Sequence, residues 1–505
     1  MSPQKSTITS FESISPAEFF YRNRQMAGFG NPTQAVYSAV RELVENSLDS
    51  CEDAQKSPSV GIIIQSDESD IVSITVSDNG TGVPSEHIPD AFGRVLYGSK
   101  YSHQQKRGTF GLGVTMAVLY SQITTESPMS IHSKTQGNDG VYYRLLVDVE
   151  NNQPLIEEQR ILPRSEEGTT VTVTLKGDLK RSQDRIIEYL RLSTVSTPHA
   201  NLHLTIDDEI EMNFGGFSNS IPPTAKTSNP HPRAADAELL RRLVQRYSEK
   251  SLHDFLCTSF QKVGPRTATK FLRFMNLNPN QVIGNLKREE LTRLGTALRN
   301  YDGFENPDSK CLSPIGKAEF LKSVSSLFNT SAAYYSLRGP NEWQGNPFLI
   351  EAVLATGDDF PRSDIPALYR FANRVPLLYD SAEDTMMRVM KRIRWAKYNV
   401  QTAIPVGLFV HICSTRIPFK AAGKQSIASI PEIDSDALLL FKELGRKLSN
   451  TVSKAQRSAR EAKKMREFAK SFRQIVRFSA TLAEQEKVPS VEELVRTLFE
   501  VDPNA

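Results

Sequence analysis

The chain has 505 residues, with 61 Lys and Arg against 58 Asp and Glu for a net charge of +3, and 39% apolar residues; this is an ordinary globular composition, with length for about three domains. Near-neutral charge excludes a uniformly basic polyanion binder, so any nucleic-acid contact must come from local basic patches. Cys51, Cys257, Cys311 and Cys413 show no C-x-x-C spacing, which excludes a disulfide scaffold or zinc finger and fits a cytoplasmic protein; the first twenty residues lack a signal-peptide pattern, and the longest apolar run, Ala403–Cys413, is too short for a membrane span.

Residues 1–30 are polar with a few aromatics (Phe11, Phe19, Phe20, Tyr21) and predict an N-terminal arm or strap that orders against another surface. From Asn31 the periodicity becomes helical: Pro32 suits a first turn, and Val36, Val40, Leu43 and Val44 share one face. Val60–Gln65 and Ile71–Ser77, separated by SDESD, predict an antiparallel hairpin. Further strands are expected at Val141–Val149, Thr169–Leu175 and Leu202–Ile206, and a helix at Ser182–Leu192. Residues 31–210 therefore read as α+β, a mixed, largely antiparallel sheet with helices on one face.

Ile221–Pro232, rich in Pro and polar residues, marks a boundary. Residues 226–310 predict a small helical domain with fifteen Lys and Arg against nine Asp and Glu. Arg241, Arg242, Arg246, Lys262, Arg266, Lys270 and Arg273 are its candidates for DNA phosphate contact. Residues 311–432 read as mixed α/β, with Trp395 and Tyr398 expected to pack in a core or interface. A long helix then runs from Ile433 to about Lys487, anchored by Leu438, Leu439, Leu440 and Leu444 and projecting as a lever beyond about Ser453. Within it, Phe441–Ala480 carries twelve basic residues against three acidic. The last stretch, Val488–Val501, is amphipathic and needs a partner surface.

Three motifs in the first domain carry chemistry. Glu42 and Asn46 lie one helical turn apart, so a carboxylate able to deprotonate water stands beside an amide able to ligate Mg²⁺. Asp78-Asn79-Gly80-Thr81-Gly82 follows a strand; the Asp can accept a hydrogen bond from an adenine amine, and Gly80 and Gly82 admit a close ring or ribose. Gly108-Thr109-Phe110-Gly111-Leu112-Gly113 leads into the apolar helix Val114–Tyr120, starting with Val114 and Thr115, so its backbone N–H groups make a phosphate site. It lacks the preceding buried strand of a dinucleotide fingerprint and the GKS/T of a P-loop. Gly93–Arg107 reads as a lid offering Ser99, Lys100 and Arg107 to phosphates.

Each motif alone is weak, but the order E-x-x-x-N, D-x-G-x-G, G-x-x-G-x-G and then Gly168-Thr169 resembles the Bergerat ATP-binding fold of the GHKL superfamily. The resemblance implies ATP and Mg²⁺ as cofactors. It makes Glu42 the general base, Asn46 the Mg²⁺ ligand and Asp78, with Thr169, the adenine site; Gly108–Thr115, Ser99 and Lys100 surround the phosphates. Much more of the chain, including SPAEFFYRNRQMAGFGNPTQAVYSAVRELVENSLDS, FLCTSFQKVGPRTATKFL and HICSTRIPFKAAGKQSIA, is similar to the family of DNA topoisomerase VI B subunits.

That resemblance implies an N-terminal strap (1–30), an ATPase domain (31–225), a helix-two-turns-helix domain (226–310) and an α/β transducer (311–432). A stalk helix and A-subunit-binding segment (433–505) complete the expected organisation. It also implies a transducer lysine that senses the γ-phosphate, at Lys424 or, second, Lys420. The expected function is ATP-driven dimerisation that gates passage of one DNA duplex through a break made by an A subunit, relaxing and decatenating DNA. Its expected assembly is an A2B2 heterotetramer acting at the nucleoid. A sensor histidine kinase would need an acceptor His before the E-x-x-x-N helix, and His87 is the first His; a catalytically silent relative would need a broken Glu42 or glycine loop, and both are intact.

Overall fold

The structure, a computed structural model, describes residues 13–98, 105–108, 111–226, 228–400, 404–421, 423–484 and 490. The amphipathic segment 488–501 and its docking role therefore lie outside the described residues, Ser490 apart. Helix α1 (Pro16–Arg22) starts at Ser15, whose hydroxyl accepts from the Glu18 N–H. Helix α2 (Pro32–Asp53) is capped by Asn31, with Pro32 in its first turn where no N–H is needed. Val36, Val40, Leu43 and Val44 are all buried.

They pack on a sheet built from β1 (Ser59–Ser66), β2 (Ile71–Ser77), then, after α3 (Ile88–Gly93) and α4 (Gly113–Thr125), β3 (Met129–Lys134), β4 (Val141–Asp148), β5 (Gln153–Ile161) and β6 (Gly168–Lys176). Helix α5 (Leu179–Ser196) leads to β7 (Asn201–Ile206) and β8 (Ile210–Gly215). Among the described residues these eight strands form one sheet in the order β5-β4-β3-β6-β2-β1-β7-β8, antiparallel except where β1 lies beside β7. The expected hairpin is present, with Ile62 opposite Val76. Period-two alternation sends Val72, Ile74, Val76, Val171, Val173 and Leu175 into the core shared with the helices. On the other face Thr75 and Thr172 hydrogen-bond across strands at 2.9 Å.

The basic middle segment folds as α6 (Ala237–Arg246), α7 (Leu252–Ser259), α8 (Pro265–Met275) and α9 (Arg288–Asn300) around a separate core that includes Phe255, Phe271 and Leu294. All seven basic candidates on it are exposed.

A second sheet follows α10 (Lys317–Leu327): β9 (Ala332–Trp343), β10 (Asn346–Thr356), β11 (Ala367–Ala372), β12 (Val375–Pro376) and, after α11 (Thr385–Lys391), β13 (Val406–Ser414), ordered β12-β11-β13-β10-β9. Central strands β10 and β13 are buried along their whole length. Helices α5 and α10 share a core with one face; α11 and the start of α12 (Pro431–Leu482) share a core with the other. Burial on both faces explains why β13 reads as the longest apolar run.

Trp395 is a core residue, its indole N–H donating to the Met390 carbonyl at 3.0 Å. In α12, Ile433, Ala437, Leu440, Phe441, Leu444 and Leu448 are buried, and Leu438 is partly so. Leu439, expected as an anchor, is 43% exposed; at about 100° per residue three consecutive leucines cannot share one face. Gly445 is needed where the Tyr398 ring lies against the helix: an added Cβ would sit 2.7 Å from it. Beyond Ser453 most described side chains are exposed.

One polar pair is threaded through the second sheet. Glu351 on β10 and His411 on β13 are register partners, with His411 Nδ1 at 2.7 Å from Glu351 Oε1. The Glu351 carboxylate also accepts from the Tyr335 hydroxyl and the N–H groups of Ile315 and Gly316. Burial pushes the His411 imidazole below its ordinary value of 6.5, so it is neutral in the fold. Below pH 6.5 the unfolded chain takes up a proton that folded His411 refuses, so stability falls as pH falls through that range. The drop in melting temperature between about pH 7.5 and 5.5 is therefore expected to shrink in His411→Asn; an unchanged drop assigns the titration to other groups.

Candidate functional site

Helix α2 is mostly buried yet carries Arg41, Glu42, Glu45, Asp49 and Glu52. Steps of four and three place Arg41, Glu45, Asp49 and Glu52 along one face. Arg41 and Glu45 are 3% and 1% exposed, so their charges must be met inside the protein. Arg41 Nη2 lies 2.5 Å from Glu42 Oε1, its Nε 3.4 Å from Glu45 Oε1, and its Nη1 donates to the Gly423 carbonyl at 3.0 Å. Lys424, next in chain, enters from the second sheet's side. Its Nζ donates to Glu45 at 3.3 Å and to the Arg107 carbonyl at 3.1 Å, and stands 3.9 Å from Glu42. Burial alone would lower the Lys424 pKa, but Glu42 and Glu45 outweigh it, so the group remains an ammonium.

Of these charges, Glu42 and Lys424 line a cavity of about 620 Å³. Its lining includes Glu42, Asn46, Gly82, Gly108, Gly111, Leu112, Gly113, Val114, Thr115 and Lys424. Asn46 sits one turn from Glu42, its Nδ2 donating to the Glu42 carbonyl at 2.9 Å. Gly113 opens α4 against the Glu42 carboxylate, where an added Cβ would fall 1.8 Å from Oε2. Thr109, Phe110, Ser99 and Lys100 lie outside the described residues. Lys420 is on the surface instead, 3.1 Å from Glu383.

Asp78, Gly80 and Thr169 do not line this cavity; they form a hydrogen-bonded cluster beside its wall residues Thr81 and Gly82. The Asp78 carboxylate accepts from Ser47 Oγ at 3.0 Å, Gly80 N–H at 2.9 Å and Thr169 N–H at 3.2 Å. Burial raises its pKa against these donors. The glycines answer first to the protein's own backbone: a Cβ on Gly82 would meet the Lys134 carbonyl at 2.1 Å, and one on Gly168, at φ +129°, the Asp78 carbonyl at 2.0 Å.

Arg107, expected to be available to phosphates, points elsewhere. Its guanidinium is buried between Asp49, at 2.9 Å, and Glu52, at 2.8 Å from two nitrogens, and donates to Thr197. Arg374 reaches the same Glu52 from the second sheet at 3.3 Å, and His199 lies 3.2 Å from it. Burial would raise the Glu52 pKa, but Arg107 and then Arg374 hold it well below its ordinary value. Sequence reading missed Arg41, Glu45, Ser47, Glu52 and Arg374. The available signal was charge at positions 41, 45, 49 and 52 in a helix whose other residues are largely apolar.

Residues 31–179 match the family model described as histidine kinase-, DNA gyrase B-, and HSP90-like ATPase. Residues 307–464 match the model described as topoisomerase VI B subunit, transducer. The chain is 36% identical over 497 residues to the B subunit of type 2 DNA topoisomerase 6 from Pyrobaculum aerophilum, covering 97% of this chain and 94% of that one. It is 35% identical over 496 residues to the namesake of Metallosphaera sedula, covering 96% and 93%. Among solved structures, the N-terminal domain of a DNA repair protein aligns over 86% of this chain and 99% of its own at a TM-score of 0.43 and 13% identity.

The close approach at Gly168 makes a stability prediction. Gly168→Ala is expected to cost roughly 2–4 kcal/mol, because strain and a backbone clash coincide. Gly137→Ala, also at positive φ but with open space around it, should cost only about 1 kcal/mol. Denaturant midpoints measure both; equal costs would remove the clash from the explanation.

Proposed function

The chain belongs to the family of type 2 DNA topoisomerase 6 B subunits, and from that premise we infer that the cavity between α2 and α4 binds and hydrolyses ATP to drive DNA strand passage. The observation that carries this reading is Lys424: a lysine from the transducer stands as an ammonium beside Glu42 and Glu45 on the floor of a cavity in the ATPase sheet. The cavity falls within the ~300–1,000 Å³ of small-molecule sites, and its donor set fits a nucleotide. Behind the cavity wall at Thr81 and Gly82, Asp78, fixed by three donors, would offer a carboxylate edge to an adenine that reaches it. Gly108, Gly111 and Gly113 bring backbone N–H groups to the start of a 13-residue helix, where phosphate charge is stabilised. Mg²⁺, held at Asn46 beside the phosphates, would neutralise their charge.

Glu42 is placed to orient and deprotonate the attacking water, its carboxylate fixed by Arg41 on one side and by the absence of a side chain at Gly113 on the other. Lys424 exchanges its carboxylate partners for the γ-phosphate and so reports whether that group is present. In this reading ATP closes two such chains into a dimer around one duplex. A separate A subunit cuts the second duplex, and hydrolysis resets the gate in an A2B2 assembly at the nucleoid. The exposed cations of α6 and α8 and the basic outer part of α12 supply phosphate contacts that weaken with salt. The A subunit is assigned to the far end of the stalk.

Glu42→Ala is expected to bind ATP normally and to lose turnover by ~10²–10⁴-fold. Lys424→Ala should cut hydrolysis while leaving ADP affinity unchanged, because ADP lacks the group that lysine meets. Phosphate release and calorimetric titration measure these outcomes. Normal hydrolysis by Glu42→Ala would remove the base from that residue, and an effect confined to Lys420→Ala would move the sensing role there.

A further inference from the structure

Lys424 is not the only transducer group that grips the approach to the glycine loop. Residues 105–107, directly before Gly108, are held at three further points. Gln105 and Ser313 exchange two hydrogen bonds, at 2.7 and 3.1 Å. Asn373 Nδ2 donates to the Lys106 carbonyl at 3.2 Å. Arg374 Nη1 meets Glu52 at 3.3 Å, and Glu52 holds both terminal nitrogens of the Arg107 guanidinium.

Arg374 also stands in an unusual backbone. Asn373 and Arg374 form the two-residue turn between β11 and β12, both at positive φ, +47° and +70°. Such a turn favours Asn-Gly, and an arginine in the glycine position is strained unless its surroundings fix it. Here the Arg374 N–H donates to His411 Nε2 at 3.0 Å, while its Nη2 donates to the Ser313 hydroxyl at 3.1 Å. The fork is thus aimed, with 5% exposure, at one carboxylate of the ATPase domain.

One contact fixes a distance between two bodies; two separated contacts fix an angle. We propose that Arg374, acting through Glu52 on Arg107, is a positioning residue that ties the angle of the transducer to the setting of the glycine loop, as a second connection beside Lys424. Arg107 joins the two connections, because its carbonyl receives the Lys424 ammonium while its side chain is clamped by Glu52. A turn of the transducer that breaks Arg374–Glu52 leaves a partly buried carboxylate with one fewer cation, so the cost of the turn is felt at the loop. The proposal rests on the nucleotide reading of the cavity and adds to it a group that touches no nucleotide.

The test uses the full chain with Glu52→Gln, Arg374→Gln and both together. Calorimetry reads affinity for ADP and for an ATP analogue with a non-hydrolysable β,γ link. Each single change should leave ADP affinity within about 2-fold and reduce the analogue's advantage over ADP by roughly 10-fold, with no further loss in the double variant. A merely structural role would lower the melting temperature and both affinities in parallel, leaving the ratio intact; that result, or additive losses in the double variant, overturns the proposal. Should Glu52→Gln not fold, Gln105→Ala tests the same segment without unpairing a charge, and an unchanged ratio there and in Arg374→Gln also overturns it. Lys424→Ala separates the two readings. If the unchanged chain does not prefer the analogue, the nucleotide reading falls and takes this one with it; if Lys424→Ala keeps that preference, the sensing role leaves Lys424 and the second connection proposed beside it falls. If Lys424→Ala loses the preference and Arg374→Gln keeps it, only this one falls.

Discussion

The buried charges of α2 have to be neutralised by a different part of the chain. Arg41 balances only one of Glu42 and Glu45, and Lys424 supplies the other cation; lower on the same face, Arg107 balances only one of Asp49 and Glu52, and Arg374 supplies the other. Each group of four has two positive and two negative members. Removing one leaves an uncompensated charge out of water, a loss of several kcal/mol. The ATPase sheet and the second sheet are held together by these matched ions and by an apolar seam, in which Leu192 and Val195 of α5 share a core with Phe320, Val324 and Phe371, and Leu378 and Tyr379 pack against the first core. An ionic interface of this kind depends steeply on geometry, so a small rotation changes its energy more than sliding across a greasy surface would.

Much of the fold was legible in the sequence because it follows from local periodicity. The hairpin of Val60–Gln65 and Ile71–Ser77, the helix from Pro32 and the helical middle segment are each written in spacing and turn residues. The lining glycines of the cavity were legible because three motifs occur in a particular order. Leu439 was misplaced because composition shows a leucine run without showing which third of it turns outward. Arg107 was misplaced for another reason. Beside a glycine loop an arginine reads as a phosphate ligand, and only the fold brings Asp49 and Glu52 to it, 55 residues and more away in sequence. The partners Lys424 and Arg374 are more distant still, and no periodicity reports a contact between separate sheets.

Glycine chemistry shows the same division. Gly108, Gly111 and Gly113 look like a ligand cradle from sequence, and they do line the cavity. Yet Gly80 and Gly82, which read as room for a ring or ribose, and Gly168 beside them are tightly filled by Ser50, the Lys134 carbonyl and the Asp78 carbonyl. Their lack of a side chain serves to bring strand ends together, and this is what places Ser47, Gly80 and Thr169 around one carboxylate. Preorganising Asp78 in this way removes the entropy of choosing a rotamer before a ligand arrives.

The length of α12 gives the ionic interface mechanical reach. Its first turns are bolted to the second sheet by Ile433, Ala437, Leu440, Phe441, Leu444 and Leu448. From Leu448 to Leu482 the helix runs on for about 50 Å at ~1.5 Å per residue. Whatever angle the buried ions impose on the second sheet is transmitted along that length, and a rotation of ~15°, ordinary for rigid-body transitions, carries the far end by ~13 Å. Beyond Leu448 the arm carries nine basic residues against two acidic up to Leu482, a net charge of +7, so any displacement of it also moves a strong field relative to a polyanion beside it. The change of partner proposed for Lys424 would thus be converted to a displacement of molecular size without any new contact along the way, because the helix is stiff and the ions that set its base admit few arrangements.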